Sequence, residues 1–193
     1  MKFYFIASVE GNKESYQVIF NFLKELGCQS VTDDILTRTQ EQIDRETSKE
    51  SAEYIQRRDR WIGQADFVVL DFTYQEISIG YEMMIALDKG KPAIILYEKN
   101  IGRIPPGLKG INDERIQIYE YEKDNLAQLK QTLKIALEEV KEQVTTRFTL
   151  LLPPRIISFL DELSRNKKIP RSVFIRSLIQ REMKANDYDI IVN

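Results

Sequence analysis

The sequence predicts an α/β fold, a five-stranded parallel sheet joined to a small second module. Three observations carry that prediction. Short apolar runs alternate with helical periodicity from residue 2 to about residue 143, the pattern of strands linked by right-handed crossovers. The run Ala65 to Phe72 is apolar at nearly every position, as a central strand covered on both faces must be. After Thr145 the pattern changes to a two-residue alternation followed by two short helical stretches.

Lys2 to Ala7 is rich in β-formers and ends in a Ser-Val-Glu-Gly-Asn loop. Lys13 to Leu26 has helical spacing of Tyr16, Ile19, Phe20, Leu23 and Leu26, and Gly27 closes it as a C-cap glycine. Cys28 to Thr32 reads as a short second strand. Asp33 to Lys49 is polar with weak periodicity, so a long loop is expected there. A helix follows from about Ser51 to Gly63, then the apolar strand, then a helix from Ser78 to Lys89 ended by Gly90. Pro92 to Tyr97 is the fourth strand, Gly102 to Gly110 a loop, and Arg115 to Tyr119 the fifth strand. Asp124 to Gln143 is a periodic helix through Leu126, Leu129, Leu133, Leu137 and Val140. The order fits a flavodoxin-like, Rossmann-like sheet over residues 1–143. Residues 145–186 form the second module and 187–193 a tail.

Composition narrows the chemistry. The 193 residues are 42% apolar and 30% charged, ordinary for a soluble protein. The net charge of −2 is unevenly spread: Thr145 to Asn193 holds nine Lys/Arg against five Asp/Glu, the first 144 residues nineteen against twenty-five. An acidic body with a basic tail implies that only the tail meets a polyanion. Histidine is absent, which excludes His general bases, Ser-His triads and His-ligated metals. Acid–base work falls to Asp, Glu, Tyr or Lys. Cys28 is alone, so intrachain disulfides and cysteine zinc sites are excluded, and a small apolar role is expected. No signal-peptide pattern or membrane-length apolar run is present, so a cytoplasmic location without membrane contact is expected. Neither a cofactor nor a metal is expected.

Arg57 to Tyr97 joins an Asp, a buried strand, a polar loop and a Gly-Tyr-Glu that opens a helix. That order brings carboxylates to the carboxyl end of a parallel strand, where open α/β sheets bind ligands. A Glu in a first helical turn is held ionised by the helix dipole. An ionised, positioned carboxylate suits nucleophilic attack on a sugar carbon. At Asp59, Asp66, Asp71 and Gly80-Tyr81-Glu82 the chain resembles the nucleoside 2-deoxyribosyltransferase-like family, which includes the nucleotide N-glycosidases, over residues 2 to about 120. The resemblance implies Glu82 as the nucleophile at C1′ of a deoxyribose, Asp59 as the residue assisting the departing base, and Tyr4 as the orienter of the nucleophile. It implies a glycosyl-enzyme ester resolved by a second base or by water.

The phosphate-binding features of the hydrolase branch are altered. The loop after the first strand is Ala7-Ser8-Val9-Glu10-Gly11, and Glu76 stands where a serine would meet a 5′-phosphate. Two carboxylates there repel a phosphate, which favours an unphosphorylated nucleoside or a different ligand. Ser78 replaces a glycine and narrows the pocket. Ser8, Gly11, Glu76, Ser78 and Gly80 are the expected substrate contacts. Local alternatives stand beside these roles. Asp59 sits in Arg57-Arg58-Asp59-Arg60, where a solvated ion pair is equally expected. Tyr4 is also a core aromatic, Asp71 a turn cap, and Trp61 a packing residue.

The tail, from Arg147 through Lys184, resembles the ribbon-helix-helix family. That resemblance implies paired strands from two chains entering the DNA major groove, with Arg147, Thr149 and Leu151 outward, and Arg171 and Ser172 gripping a phosphate. A homodimer or higher oligomer follows, because one strand and two short helices cannot bury their apolar faces alone. A module that dimerises without DNA is the alternative. Two functions thus compete: a deoxyribosyltransferase- or N-glycosidase-like enzyme, dimerised and tethered to double-stranded DNA by its tail, and a non-catalytic, nucleoside-sensing transcriptional regulator.

Overall fold

A computed structural model describes residues 1–104, 106–111, 113–143, 151–167 and 171–186. The chain divides into two units, Met1–Thr145 and Thr146–Asn193. In the first, strands β1 (Lys2–Ile6), β2 (Gln29–Ser30), β3 (Phe67–Asp71), β4 (Ala93–Glu98) and β5 (Ile116–Tyr121) pair in parallel in the order β2-β1-β3-β4-β5. This is the expected flavodoxin-like α/β fold. Its connections reverse direction between β1 and β3, and the crevice at such a switch point is where ligands settle.

Strand alternation sorts the core into two faces. Phe3, Phe5, Phe67, Val69, Ile94 and Leu96 pack with α1 (Lys13–Glu25) and α7 (Leu126–Gln143). Tyr4, Ile6, Val68, Leu70, Ala93 and Ile95 face the opposite side, with α4 (Ser48–Gln64) and α5 (Ile77–Asp88). All five residues of β3 are buried, as its unbroken apolar run required. Fully burying one such side chain contributes about 1.5–3 kcal/mol. Gly27 and Gly90 take φ values of 84° and 75° just past α1 and α5, a conformation costly for other residues. The sequence places Tyr4 on the same sheet face as α4 and α5, so the site is assembled there.

The segment Asp33–Lys49 departs from the expected loop. It contains α2 (Asp34–Thr37), α3 (Gln40–Asp44) and the first residues of α4. Two capping boxes set it: Thr39 with Gln42 and Thr47 with Glu50 each satisfy a pair of helix-end N–H groups. The predicted loop Gly102–Gly110 likewise contains one turn, α6 (Pro106–Lys109). Cys28 is buried and free, consistent with an apolar packing role.

In the second unit, α8 (Pro154–Lys167) and α9 (Arg171–Ala185) correspond to the two expected helices, and Arg171 pairs with Asp161. Leu151 is almost wholly exposed, and Ile156, Phe159, Leu178 and Ile179 are also exposed. Arg147 and Thr149 lie outside the described residues, as does the Ser172 side chain. No helix among the described residues is long and apolar enough to cross a membrane.

Candidate active site

Glu82 is buried in the second turn of α5, and β1 and α4 each supply it with a donor. The Tyr4 hydroxyl donates to Glu82 Oε2 at 3.3 Å, and Arg58 Nη1 donates to Oε1 at 3.1 Å. Both carboxylate oxygens are therefore held. The Glu82 and Arg58 side chains retain only 10% and 13% of their exposure, so this pair sits largely away from solvent. Burial pushes the Glu82 carboxyl up to about 7; Arg58 and the Tyr4 hydroxyl oppose the rise without cancelling it. Burial and the Glu82 charge push the Tyr4 phenol well above its ordinary range, so it remains a donor.

These groups line a cavity of about 380 Å³ together with Thr32, Asp34, Arg38, Glu46, Tyr54, Glu76 and Ser78. The far wall comes from the segment expected to be loop. Arg38 pairs with Glu46 at 2.6 Å and lies over the Tyr54 ring, 3.2 Å from its centroid. The Tyr54 hydroxyl donates to Asp34 at 2.9 Å, and Lys13 Nζ donates to the Ile35 carbonyl at 2.6 Å, tying α2 to α4 and α1. Trp61 packs between Tyr4 and Tyr54, with ring centroids at 6.1 and 5.9 Å, the packing role expected for it. The arrangement presents a carboxylate with two positioned donors at the wall of a cavity of small-molecule size.

No family model matches the chain. The chain is 29% identical over 133 residues to the 5-hydroxymethyl-dUMP N-hydrolase of Mus musculus, spanning 64% of this chain and 73% of that protein. It is 24% identical over 139 residues to the enzyme of the same name from Tetraodon nigroviridis, spanning 67% and 94%. These relatives support an N-glycosidase family. A solved CMP N-glycosidase of Clostridium botulinum aligns over 69% of this chain and 99% of its own, with a TM-score of 0.49 and 13% identity. The two N-hydrolase matches extend over about two thirds of this chain.

Within the α/β unit the expected site residues separate. Tyr4 and Glu82 come together, and Glu76 and Ser78 line the same cavity, the Ser78 hydroxyl donating to Glu76 Oε2 at 3.0 Å. Asp59 does not join them. It pairs with Lys89 at 3.2 Å and borders a separate depression with Tyr81. Helix geometry explains the difference: Tyr54, Arg58 and Trp61 share one face of α4 by their spacing, and Asp59 is turned about 100° from Arg58. Arg58 is thus the site residue that the charged run concealed. The aromatic pair Tyr54 and Trp61, on either side of it at helical spacing, was the available signal.

Ser8 is buried beside a second depression, shared with Glu10, Thr73 and Glu76. Its Oγ accepts from the Glu10 N–H at 3.1 Å. Gly11 serves packing, since a Cβ there would lie 1.7 Å from the Tyr16 hydroxyl. Gly80 borders a third hollow with Phe72 and Met83. Asp71 is buried and caps the turn after β3: Thr73 N–H donates to it at 2.8 Å, as does the Tyr121 hydroxyl at 2.8 Å. The first-turn dipole expected to hold Glu82 ionised does not apply, because α5 begins at Ile77 and places Glu82 a turn later. Burial decides its protonation instead.

Proposed function

We propose that the α/β unit cleaves the N-glycosidic bond of a nucleoside- or nucleotide-like substrate, with Glu82 as nucleophile. The observation that carries this reading is the Tyr4–Glu82–Arg58 arrangement at the wall of a cavity of about 380 Å³. In the reaction Glu82 attacks C1′ as the bond to the base breaks, forming a glycosyl ester. Water then resolves the ester to free sugar and restores the carboxylate, or a second base takes its place in a transferase. Tyr4 holds the attacking group in register and remains a proton-bearing donor throughout. The names of the relatives, N-hydrolases of a deoxynucleotide, support hydrolysis over a sensor that leaves its ligand intact.

The second unit is proposed as a ribbon-helix-helix module that dimerises the chain and contacts DNA. Its basic charge balance and the exposed apolar positions of α8 and α9 support that role. For the enzyme reading the test is direct. Purified protein is incubated with a panel of deoxynucleosides and their 5′-monophosphates, and free base is measured by chromatography. Release by the wild type that disappears in Glu82→Gln is the expected result. A panel with no base release and no base exchange would sink the reading.

A further inference from the structure

The carboxylates around the cavity are poorly placed to act as the acid for a departing base. Asp34 accepts from the Tyr54 hydroxyl, Glu46 from Arg38 and the Ser51 hydroxyl, and Glu76 from the Ser78 hydroxyl. Each of these carboxylates is thereby engaged by a neighbouring donor. Glu82 is committed to the sugar carbon. The phenols of Tyr4 and Tyr54 are both pushed up by burial, which makes them weaker acids still. Asp59 points to the other depression. The leaving group needs another form of help.

Arg58 is the cation in contact with Glu82, whereas Arg38, which also lines the cavity, is paired with Glu46. Its guanidinium touches Glu82 at 3.1 Å, borders the cavity, and has most of its side chain buried. When Glu82 becomes an ester its charge disappears, and a buried cation without a partner is costly. The charge lost from Glu82 reappears on the base within the same cavity. We propose that Arg58 takes up the departing base as an anion, so that electrostatic stabilisation replaces protonation of the leaving group. This deepens the glycosidase reading and rests on it.

The step balances. A Glu82 oxygen forms its bond to C1′, the C1′–N bond breaks, and its electron pair passes to the base nitrogen. Arg58 exchanges one anionic partner for the other. Water later gives its hydroxyl to the sugar and its proton to the base, and the Glu82 carboxylate is restored. A guanidinium presents several N–H donors in a fixed plane, suited to the paired N1 and O2 acceptors of a pyrimidine-dione anion. Bases of that class leave readily as anions. Amino-purines, whose departure is eased by ring protonation, are the poor substrates.

The experiment uses the full-length protein and a series of 2′-deoxyuridines bearing methyl, hydrogen, bromine or fluorine at C5, which grade the acidity of the base. The logarithm of kcat/KM is plotted against base pKa for the wild type, Arg58→Gln and Arg58→Lys. The wild type should give a shallow slope. Arg58→Gln should give a steep one, with roughly a 10²–10³-fold loss for the methyl compound and a far smaller loss for the fluoro compound. Arg58→Lys, which keeps the charge and loses the planar fork, should fall between them. Should Arg58→Gln fail to fold, Arg58→Lys decides alone, and a slope equal to the wild type overturns the proposal. A uniform loss across the series would overturn it too, by assigning Arg58 only to the positioning of Glu82. Wild-type protein that releases no base from these compounds or from their 5′-monophosphates sinks the glycosidase reading and this proposal together. Glu82-dependent turnover with parallel slopes sinks the proposal alone.

Discussion

At Glu82, burial and ionisation oppose each other. The nucleophile must be ionised, yet its surroundings raise its carboxyl from 4.5 to about 7. The rate should therefore climb about tenfold per pH unit below 7 and level off above it, a profile read from kcat/KM. Stability should run the other way. A carboxyl whose pKa is raised in the folded state favours the fold below pH 4.5, and that contribution is lost as pH rises through 7, by up to about 3 kcal/mol. The melting temperature of the wild type should fall between pH 5 and pH 8, and that of Glu82→Gln should fall less. An equal fall in both would remove Glu82 as the cause. Glu76, exposed at the start of α5, bears on substrate choice. Replacing it with serine should raise kcat/KM for a 5′-monophosphate relative to its nucleoside by roughly tenfold, as relief of about 1.4 kcal/mol of repulsion predicts. An unchanged ratio would place the phosphate end of the ligand elsewhere.

Among the elements, the short helices between β2 and α4 matter most, because they wall the cavity. Their weak apolar periodicity reads as loop: Ile35 and Leu36 of α2 pack on the core, and polar contacts supply the rest of the hold, Arg38 with Glu46, Tyr54 with Asp34, Lys13 with Ile35. The signals that could have found them are the spacings Thr39–Gln42 and Thr47–Glu50. Thr47→Ala removes the hydroxyl that accepts the Glu50 N–H and should cost about 1 kcal/mol. In hydrogen exchange, amides of residues 47–52 should lose protection, with β3 and α5 unchanged. Loss of protection throughout the sheet would show instead that the segment is part of the global folding unit. The strands and the longer helices α1, α4, α5 and α7 were legible because each carries its own period. Only their ends moved, by a few residues.

At the scale of the whole molecule, the cavity residues all belong to the first unit and the basic excess belongs to the second. A chain ending at residue 145 should therefore keep Glu82-dependent turnover and lose both dimerisation, seen in sedimentation, and binding to duplex DNA. In the full chain, DNA binding should weaken steeply with salt and fall in Arg147→Ala. A truncated chain that still dimerises would move the interface into the α/β unit. The sequence by itself determined the parallel sheet, marked a change of pattern after Thr145 and singled out Glu82 as a candidate, because local periodicity and glycine caps are properties of neighbouring residues. Only the tertiary structure decided that Arg58 meets Glu82 and Asp59 does not, and that burial pushes the Glu82 carboxyl up to about 7. Both depend on how α4 and α5 are rotated against the sheet and how much water that packing excludes, and such distances join residues far apart in the chain.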